Sequence, residues 1–357
     1  ISQLSEMLEG QVAVLSSGYL SSGEALAVLD SLKSSRLFRE DQYSYLLYPD
    51  KELPRFREKN NLPEAAVAQS ALLTELVKDG HAGIVEKDVN GVCHFNGNFH
   101  NAADLQTALK ALSGTKYAAL AEADEERVLQ IFEALFNHRA FTGRSGTFFG
   151  YEGLGSIYWH MVSKLLLAVQ ECCIKAVEEE AGEEIIGRLL EHYYEISEGI
   201  GVHKSPSLYG AFPTDPYSHT PAGKGAQQPG MTGQVKEDII SRFGELGVSV
   251  KNGRLRFNPR LLRKSEFLAE AAVFDYVDIR SGHRRLPLEQ GSLCFTCCQV
   301  PVVYSLAPEN ELKVLYRDRS STFSNNLELD PATSRQLFGR TGKVEQIQVR
   351  IAESSLR

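Results

Sequence analysis

The chain lacks features that would assign it to several common functional classes. Polar and charged side chains interrupt even its most apolar region, 157–177, so no run of about 18 or more apolar residues occurs. No membrane-spanning helix is therefore predicted. Lysine and arginine are scattered without a basic run, and the formal net charge is −8. This acidic balance argues against nucleic acid or an anionic membrane as the main partner.

Three familiar catalytic motifs are also missing. The sequence has no G-x-S-x-G turn, no H-E-x-x-H helix and no G-x-G-x-x-G that follows a strand. Interpretations as a serine hydrolase, a zinc peptidase or a dinucleotide-binding protein therefore have no support.

Cysteine is sparse, with six in 357 residues, placed as two adjacent pairs and two single residues. This layout does not suit a small domain held by disulfides, and a reducing, cytoplasmic setting fits it best. Cys294 and Cys297 form a C-x-x-C pair, but only His283 lies nearby as a further ligand. Buried thiols are the favoured interpretation, and no metal site is predicted.

Helical periodicity dominates the first two-thirds of the chain. The segment 183–198 has a single apolar stripe, whereas 153–178 is apolar nearly all round and is expected to be a central buried helix. Alternating apolar residues on both sides of Asn90-Gly91 predict a β-hairpin over 81–100. The predicted helices cover 3–15, 23–37, 63–79, 101–112, 124–139, 153–178, 183–198 and 234–246.

After about residue 250 the pattern changes to short segments rich in β-branched and aromatic residues. Another Asn-Gly pair lies within VSVKNGRLRFNP, 248–259, and predicts a second hairpin. The predicted fold class is mainly α with a β C-terminal domain. A helical domain over 1–250 is followed by a small antiparallel sheet or sandwich over 251–357.

A long segment without periodicity, 199–238, is the first candidate site. Its aromatic rings, amides and carboxylates suit a polyhydroxylated ligand, because sugar rings stack on aromatic faces and hydroxyls pair with polar side chains. The alternative is a structural loop that covers the end of the helical domain. The candidate binding residues here are His203, Lys204, Tyr209, Asp215, Tyr217, His219, Gln227, Gln228 and Gln234.

The end of this segment, GAQQPGMTGQVKED, leads into a predicted helix. Backbone N–H groups at a helix N-terminus can bind an anion such as phosphate, but simple capping by Thr232 is favoured.

The second candidate is FTGRSGTFFGYEGLGSIYWH, 141–160, which leads into the predicted central helix. Arg144 and Glu152 are its charged residues, and a structural ion pair between them is one interpretation. In the other interpretation Glu152 acts as an acid, a base or a sugar ligand, with Trp159 and His160 in the same cavity. The sequence leaves both open.

Four stretches resemble the C-terminal part of the six-hairpin glycosidase superfamily, whose catalytic domains are (α/α)6 toroids and which includes phosphorylases of the cellobiose phosphorylase type. They are RSGTFFGYEGLGSIYWH, SLYGAFPTDPYSHTP, GAQQPGMTGQVKED and LCFTCCQVPVVY, within 141–305. The resemblance implies carbohydrate processing by a toroid-like, partial helical domain. About eight helices are predicted where a toroid has twelve, so the chain is expected to be a fragment of a larger protein.

The leading functional hypothesis is therefore a glycoside hydrolase or phosphorylase that acts on a glycan. Asp215 and Glu152 are the candidate catalytic carboxylates, and Tyr209, Tyr217 and Trp159 are candidate stacking residues. No organic cofactor is predicted, and inorganic phosphate is the co-substrate in the phosphorylase case. The alternative is a noncatalytic scaffold or regulatory fragment of a larger carbohydrate-processing protein.

Overall fold

The computed structural model describes residues 6–50, 52, 54–137, 157–200 and 235–356. The chain divides into two compact units. We call Ile1–Tyr45 with Tyr158–Arg357 the host unit, and Leu46–Ile157 the inserted unit. The predicted domain boundary near residue 250 falls inside the host unit.

The host unit begins with two helices and a short hairpin. The helices are α1, Leu8–Ser16, and α2, Ser22–Lys33, and the hairpin strands are β1, Phe38–Arg39, and β2, Ser44–Tyr45. Ser21 caps α2 in a capping box with Glu24, which satisfies backbone N–H groups that would otherwise lack partners.

The inserted unit packs short helices around a hairpin. A T-shaped contact between Phe95 and Phe132 lies in its core, with ring centroids 5.1 Å apart. Asn101 caps α6 by accepting hydrogen bonds from two backbone N–H groups. The hairpin predicted over 81–100 is confirmed. The elements are α3 (Phe56–Lys59), α4 (Glu64–Val67), α5 (Ala71–Lys78), β3 (Val85–Lys87), β4 (Cys93–Phe95), α6 (Ala102–Lys110) and α7 (Ala118–Phe136).

Three further helices complete the helical part of the host unit: α8, Trp159–Glu178, α9, Glu183–Gly199, and α10, Val235–Glu245. Helices α1, α2, α9 and α10 all pack on α8. This surrounding contact explains why α8 is apolar on most of its circumference, and it confirms the prediction of a central buried helix. None of the helices in the described part of the chain is both long enough and apolar enough to cross a membrane.

The C-terminal part of the host unit is a β-region, as predicted. Its strands and one helix are β5 (Val248–Lys251), β6 (Arg254–Phe257), β7 (Ala272–Val277), β8 (His283–Leu288), β9 (Ser292–Cys297), β10 (Val300–Ala307), β11 (Glu311–Tyr316), β12 (Ser321–Ser324), α11 (Pro331–Phe338) and β13 (Val344–Ala352). The last five strands form one sheet with the order β12-β11-β13-β10-β9, and two hairpins precede it.

The five-stranded sheet is mixed, which corrects the prediction of an antiparallel one. Strands β10 and β13 pair in parallel, with Val302 opposite Ile347. The chain between them contains β11, β12 and α11. A parallel pair needs such a long crossover, and alternation within single strands gives no information about it. Because helices and strands both make up large parts of the described chain, the fold class is mixed helix and sheet.

Candidate functional site

The host unit contains an open cavity of about 1070 Å³. This volume is slightly above the range of about 300–1,000 Å³ that is typical of small-molecule binding sites. Aromatic and charged side chains dominate its lining. The lining residues are Lys33, Phe38, Glu40, Tyr43, Tyr45, Tyr194, Glu195, Ile196, Ser197, Glu198, Arg242, Glu245, Arg263, Ser265 and Glu266.

The β1–β2 hairpin supplies one aromatic wall. Phe38 and Tyr45 are directly paired across the hairpin, with ring centroids 5.3 Å apart. Tyr45 is buried, and this burial, together with the nearby Glu195 carboxylate, raises the pKa of its phenol. Tyr43 lies at the turn of the hairpin, and the residue is 59% exposed. The hairpin therefore presents one fixed ring and one accessible ring.

Helix α9 supplies a second aromatic group. The guanidinium of Arg263 lies 3.6 Å from the centroid of the Tyr194 ring. Tyr194 also donates a hydrogen bond from its hydroxyl to the backbone carbonyl of Leu261. These two contacts hold the ring and the cation together in the cavity wall.

A charged network on α10 forms the third wall. Arg242 donates hydrogen bonds of 2.6 Å to both Glu245 and Glu266. Burial opposes the charged guanidinium, but the hydrogen bonds to Glu266 and Glu245 outweigh it and raise the pKa of Arg242. Arg242 therefore stays charged and holds both carboxylates at fixed positions.

The lining carries more negative than positive charge. Its five carboxylates exceed its three cationic groups. Lys33 contacts Glu195 at 2.6 Å, and Arg263 lies 3.8 Å from Glu198. Because the cations are engaged by carboxylates, the cavity disfavours an anionic ligand and suits a neutral ligand with many hydroxyl groups.

Two of the predicted site residues are described, and neither lines this cavity. Trp159 and His160 form the first turn of α8, and Trp159 is buried. The His160 Nδ1 atom lies 3.1 Å from the hydroxyl oxygen of Tyr158. Burial lowers the pKa of His160, whereas Glu237 on α10 opposes that change.

The other predicted site residues lie outside the described residues. They include both candidate catalytic carboxylates. These residues are Asp215, Glu152, Arg144, His203, Lys204, Tyr209, Tyr217, His219, Gln227, Gln228 and Gln234.

Glu237 is a buried acid that the sequence patterns did not single out. The residue is 4% exposed, and among the described residues its Oε2 atom has no hydrogen-bond partner. Its Oε1 atom lies 3.6 Å from the Lys236 ammonium. Desolvation and the Glu237 charge together raise the pKa of Asp238. An acidic pair therefore occupies the first turn of α10, where the helix dipole favours negative charge.

Helix α10 also reverses the usual amphipathic arrangement. It buries Glu237 and Ser241, one turn apart, whereas Ile239 and Ile240 are 52% and 50% exposed. From the sequence alone, the two isoleucines would be expected in the core.

The cavity had two signals in the sequence. They are the pair of tyrosines in HYYEISEG and the tyrosines in QYSYLLY.

Of the C-x-x-C pair expected to be buried, Cys297 is buried and Cys294 is half-buried. Cys172, Cys173 and Cys297 are buried, and burial raises the pKa of the Cys297 thiol to about 12. In the described ranges, no group of three or more His, Cys, Asp or Glu residues is arranged to hold a metal ion.

One family model matches part of the chain. Residues 53–139 match the model described as GH149 phosphorylase insertion domain 2. The matched residues lie within the inserted unit, Leu46–Ile157. This stretch is therefore similar to a domain of a glycoside hydrolase family, and the match does not by itself support the six-hairpin superfamily. Among curated proteins no relative matches the chain.

Proposed function

We propose that this chain belongs to a carbohydrate-processing phosphorylase and that the host-unit cavity binds a neutral oligosaccharide. The similarity of residues 53–139 to a phosphorylase insertion domain is the observation that carries the proposal. A phosphorylase cleaves a glycosidic bond with inorganic phosphate and releases a sugar 1-phosphate and a shortened glycan. The glycan is the larger of its two substrates and needs the larger cavity.

The chemistry of the cavity supports the same ligand. Exposed and half-buried aromatic rings offer faces on which sugar rings pack, and fixed carboxylates accept hydrogen bonds from sugar hydroxyls. Arg242, held between Glu245 and Glu266, presents such a fixed arrangement. The excess of negative charge favours a neutral glycan over a sugar phosphate.

For the chemical step we propose Asp215 and Glu152 as the catalytic carboxylates, on a helical toroid of the six-hairpin type. One carboxyl group protonates the leaving oxygen, and phosphate replaces the water that a hydrolase would activate. His203, Lys204 and the turn 225–234 are the proposed phosphate-binding groups. Trp159, Tyr209 and Tyr217 are proposed stacking residues.

A noncatalytic role is the second candidate, and one specific observation favours it. The matched domain is an insertion domain, which is by nature part of a longer protein. In that case the chain supports or regulates a catalytic part that it does not itself contain. It would then bind glycans without cleaving them.

Two measurements test the proposal. The intact chain is titrated calorimetrically with neutral oligosaccharides, from disaccharides to hexasaccharides, and with a sugar 1-phosphate. We expect the neutral oligosaccharides to bind and Arg263→Ala to weaken that binding, because Arg263 lies over the Tyr194 ring. Arg285→Ala is the matched control, since Arg285 forms an ion pair with Asp275 on another hairpin. Absence of any oligosaccharide binding would contradict the proposal.

The second measurement is phosphorolysis, followed by the release of sugar 1-phosphate from an oligosaccharide and inorganic phosphate. Activity that is abolished by Asp215→Asn or by Glu152→Gln supports the assignment of that residue as the carboxyl group that protonates the leaving oxygen. Activity that survives both substitutions overturns it. Binding without any phosphorolysis by the intact chain favours the noncatalytic candidate.

A further inference from the structure

Tyr43 has a backbone conformation that its side chain disfavours. Its φ is 50°, in the left-handed region that residues other than glycine, asparagine and aspartate seldom adopt. The residue closes the β1–β2 hairpin, where its N–H donates to the Glu40 carbonyl at 3.2 Å. Glycine would adopt this conformation without cost, so the presence of a large aromatic residue here calls for an explanation.

Helix α9 packs closely against the backbone of Tyr43. A Cβ atom on Gly199 would overlap the backbone carbonyl of Tyr43, so only glycine at position 199 permits the observed approach. The next residue, Ser44, is 1% exposed. The turn therefore cannot relax inward, and the backbone conformation of Tyr43 is imposed by close packing.

Tyr43 itself remains largely exposed. It is 59% exposed, while its hairpin neighbour Tyr45 is 3% exposed. Both residues line the same cavity. The hairpin thus buries one tyrosine for stability and holds the other open at the cavity, in a conformation that costs free energy. Backbone strain of this kind clusters at functional positions.

We propose that Tyr43 is a stacking platform for a pyranose ring of the oligosaccharide, and that Gly199 fixes its position. The inference rests on the proposed function, because it assigns a binding role to one residue of the proposed glycan cavity. An aromatic face suits the C–H groups on one side of a sugar ring, and the immobile backbone avoids an ordering cost upon binding. The surplus of carboxylates in the lining keeps the ligand class neutral.

The test compares four variants of the intact chain by calorimetric titration with neutral oligosaccharides and by thermal unfolding. Tyr43→Phe keeps the ring and should bind like the parent chain. Tyr43→Ala should weaken binding by about tenfold, the change expected for loss of an aromatic contact. Tyr43→Gly and Tyr43→Asn remove the ring but suit the left-handed backbone. Both should weaken binding equally, with a melting temperature that is unchanged or higher.

A functional role predicts that the glycine and asparagine variants bind more weakly while their melting temperature is unchanged or higher. A merely structural tyrosine would lower the melting temperature when replaced and would leave binding unchanged at temperatures where the chain is folded. Tyr19→Ala is the matched control, because Tyr19 is 88% exposed and does not line the cavity. Unchanged affinity in the alanine, glycine and asparagine variants overturns the inference. Failure of the parent chain to bind any oligosaccharide would instead count against the proposed function.

Discussion

Tyr193 on α9 donates a hydrogen bond of 2.6 Å to Glu245 on α10. Burial and the Glu245 charge raise the pKa of the Tyr193 phenol, so it remains a donor throughout the physiological range. Gln170 on α8 donates to the same hydroxyl at 3.2 Å and to the Ser241 carbonyl at 2.6 Å. Three helices are thus linked through buried polar groups to Glu245, which in turn fixes Arg242 in the cavity wall.

Replacing Tyr193 with phenylalanine should destabilise the host unit and loosen the cavity wall. The substitution keeps the ring but leaves the Glu245 Oε1 atom without its Tyr193 donor, a loss that typically costs about 1–3 kcal/mol of the free energy of unfolding. Chemical denaturation measures the change. Tyr19→Phe removes an exposed hydroxyl and should have no measurable effect. Equal stability of the Tyr193 variant and the parent chain would show that the hydroxyl network contributes nothing.

Gly244→Ala tests how closely α8 and α10 approach. A Cβ atom on Gly244 would overlap the buried side-chain amide of Gln170, which is held by two hydrogen bonds. We expect a loss of about 1–3 kcal/mol in the free energy of unfolding, as for other overpacked sites.

Gly187→Ala on α9 is the matched control. Gly187 is also helical, but an added Cβ there meets no atom within 4 Å. Alanine is the better helix former, so this variant should gain about 0.5–1 kcal/mol. Opposite signs for the two variants, measured by the same denaturation experiment, establish close packing at Gly244. A gain at both positions contradicts it.

Much of the local structure could be predicted because its causes are local. The Asn252-Gly253 turn has both residues in the left-handed region, as an Asn-Gly hairpin requires. Asn101 caps its helix, and the all-round apolar pattern of α8 predicted its burial. Each of these signals lies within a few residues of the element that it specifies.

The rest depends on contacts between distant parts of the chain. No sequence signal near Tyr45 or Tyr158 indicates that the chain leaves the host unit after the first residue and returns to it at the second. The insertion between them could therefore not be recognised. The cavity combines residues from α2, α9, α10 and the β1–β2 hairpin, which no spacing rule connects. The central helix is predicted over 153–178 and begins at Trp159 in the structure, but sequence alone could not show that Trp159 lies away from the cavity lining.

Glu237 should influence the titration of His160. Burial lowers the pKa of His160, and the negative charge of Glu237 limits this decrease. Glu237→Gln removes the charge, so the pKa of His160 should fall further, which two-dimensional NMR of the imidazole signals would measure. Arg285→Ala serves as the control, since its ion pair with Asp275 lies on another hairpin. An unchanged or higher pKa for His160 in the Gln variant would contradict the predicted interaction.

Asp278 should make the β-region sensitive to acid. It accepts hydrogen bonds from the Arg284 side chain and from the backbone N–H groups of Gly282 and Arg280, each within 2.9 Å. Arg284, followed by the Gly282 N–H, lowers the pKa of Asp278 from 3.8 to about 2. A carboxyl group with a lowered pKa in the folded state stabilises that state above its unfolded pKa.

The contribution of Asp278 should therefore be complete above about pH 5 and should disappear as the pH falls from there toward about 2. The free energy of unfolding, measured by denaturation across this range, should fall less steeply in Asp278→Asn than in the parent chain. Asp275→Asn is the matched control, because its exposed ion pair with Arg285 should contribute little to the free energy of unfolding. An identical pH dependence of the Asp278 variant and the parent chain would rule out this anchoring role. The Asp278 carboxyl group would then have the same pKa in the folded and unfolded states.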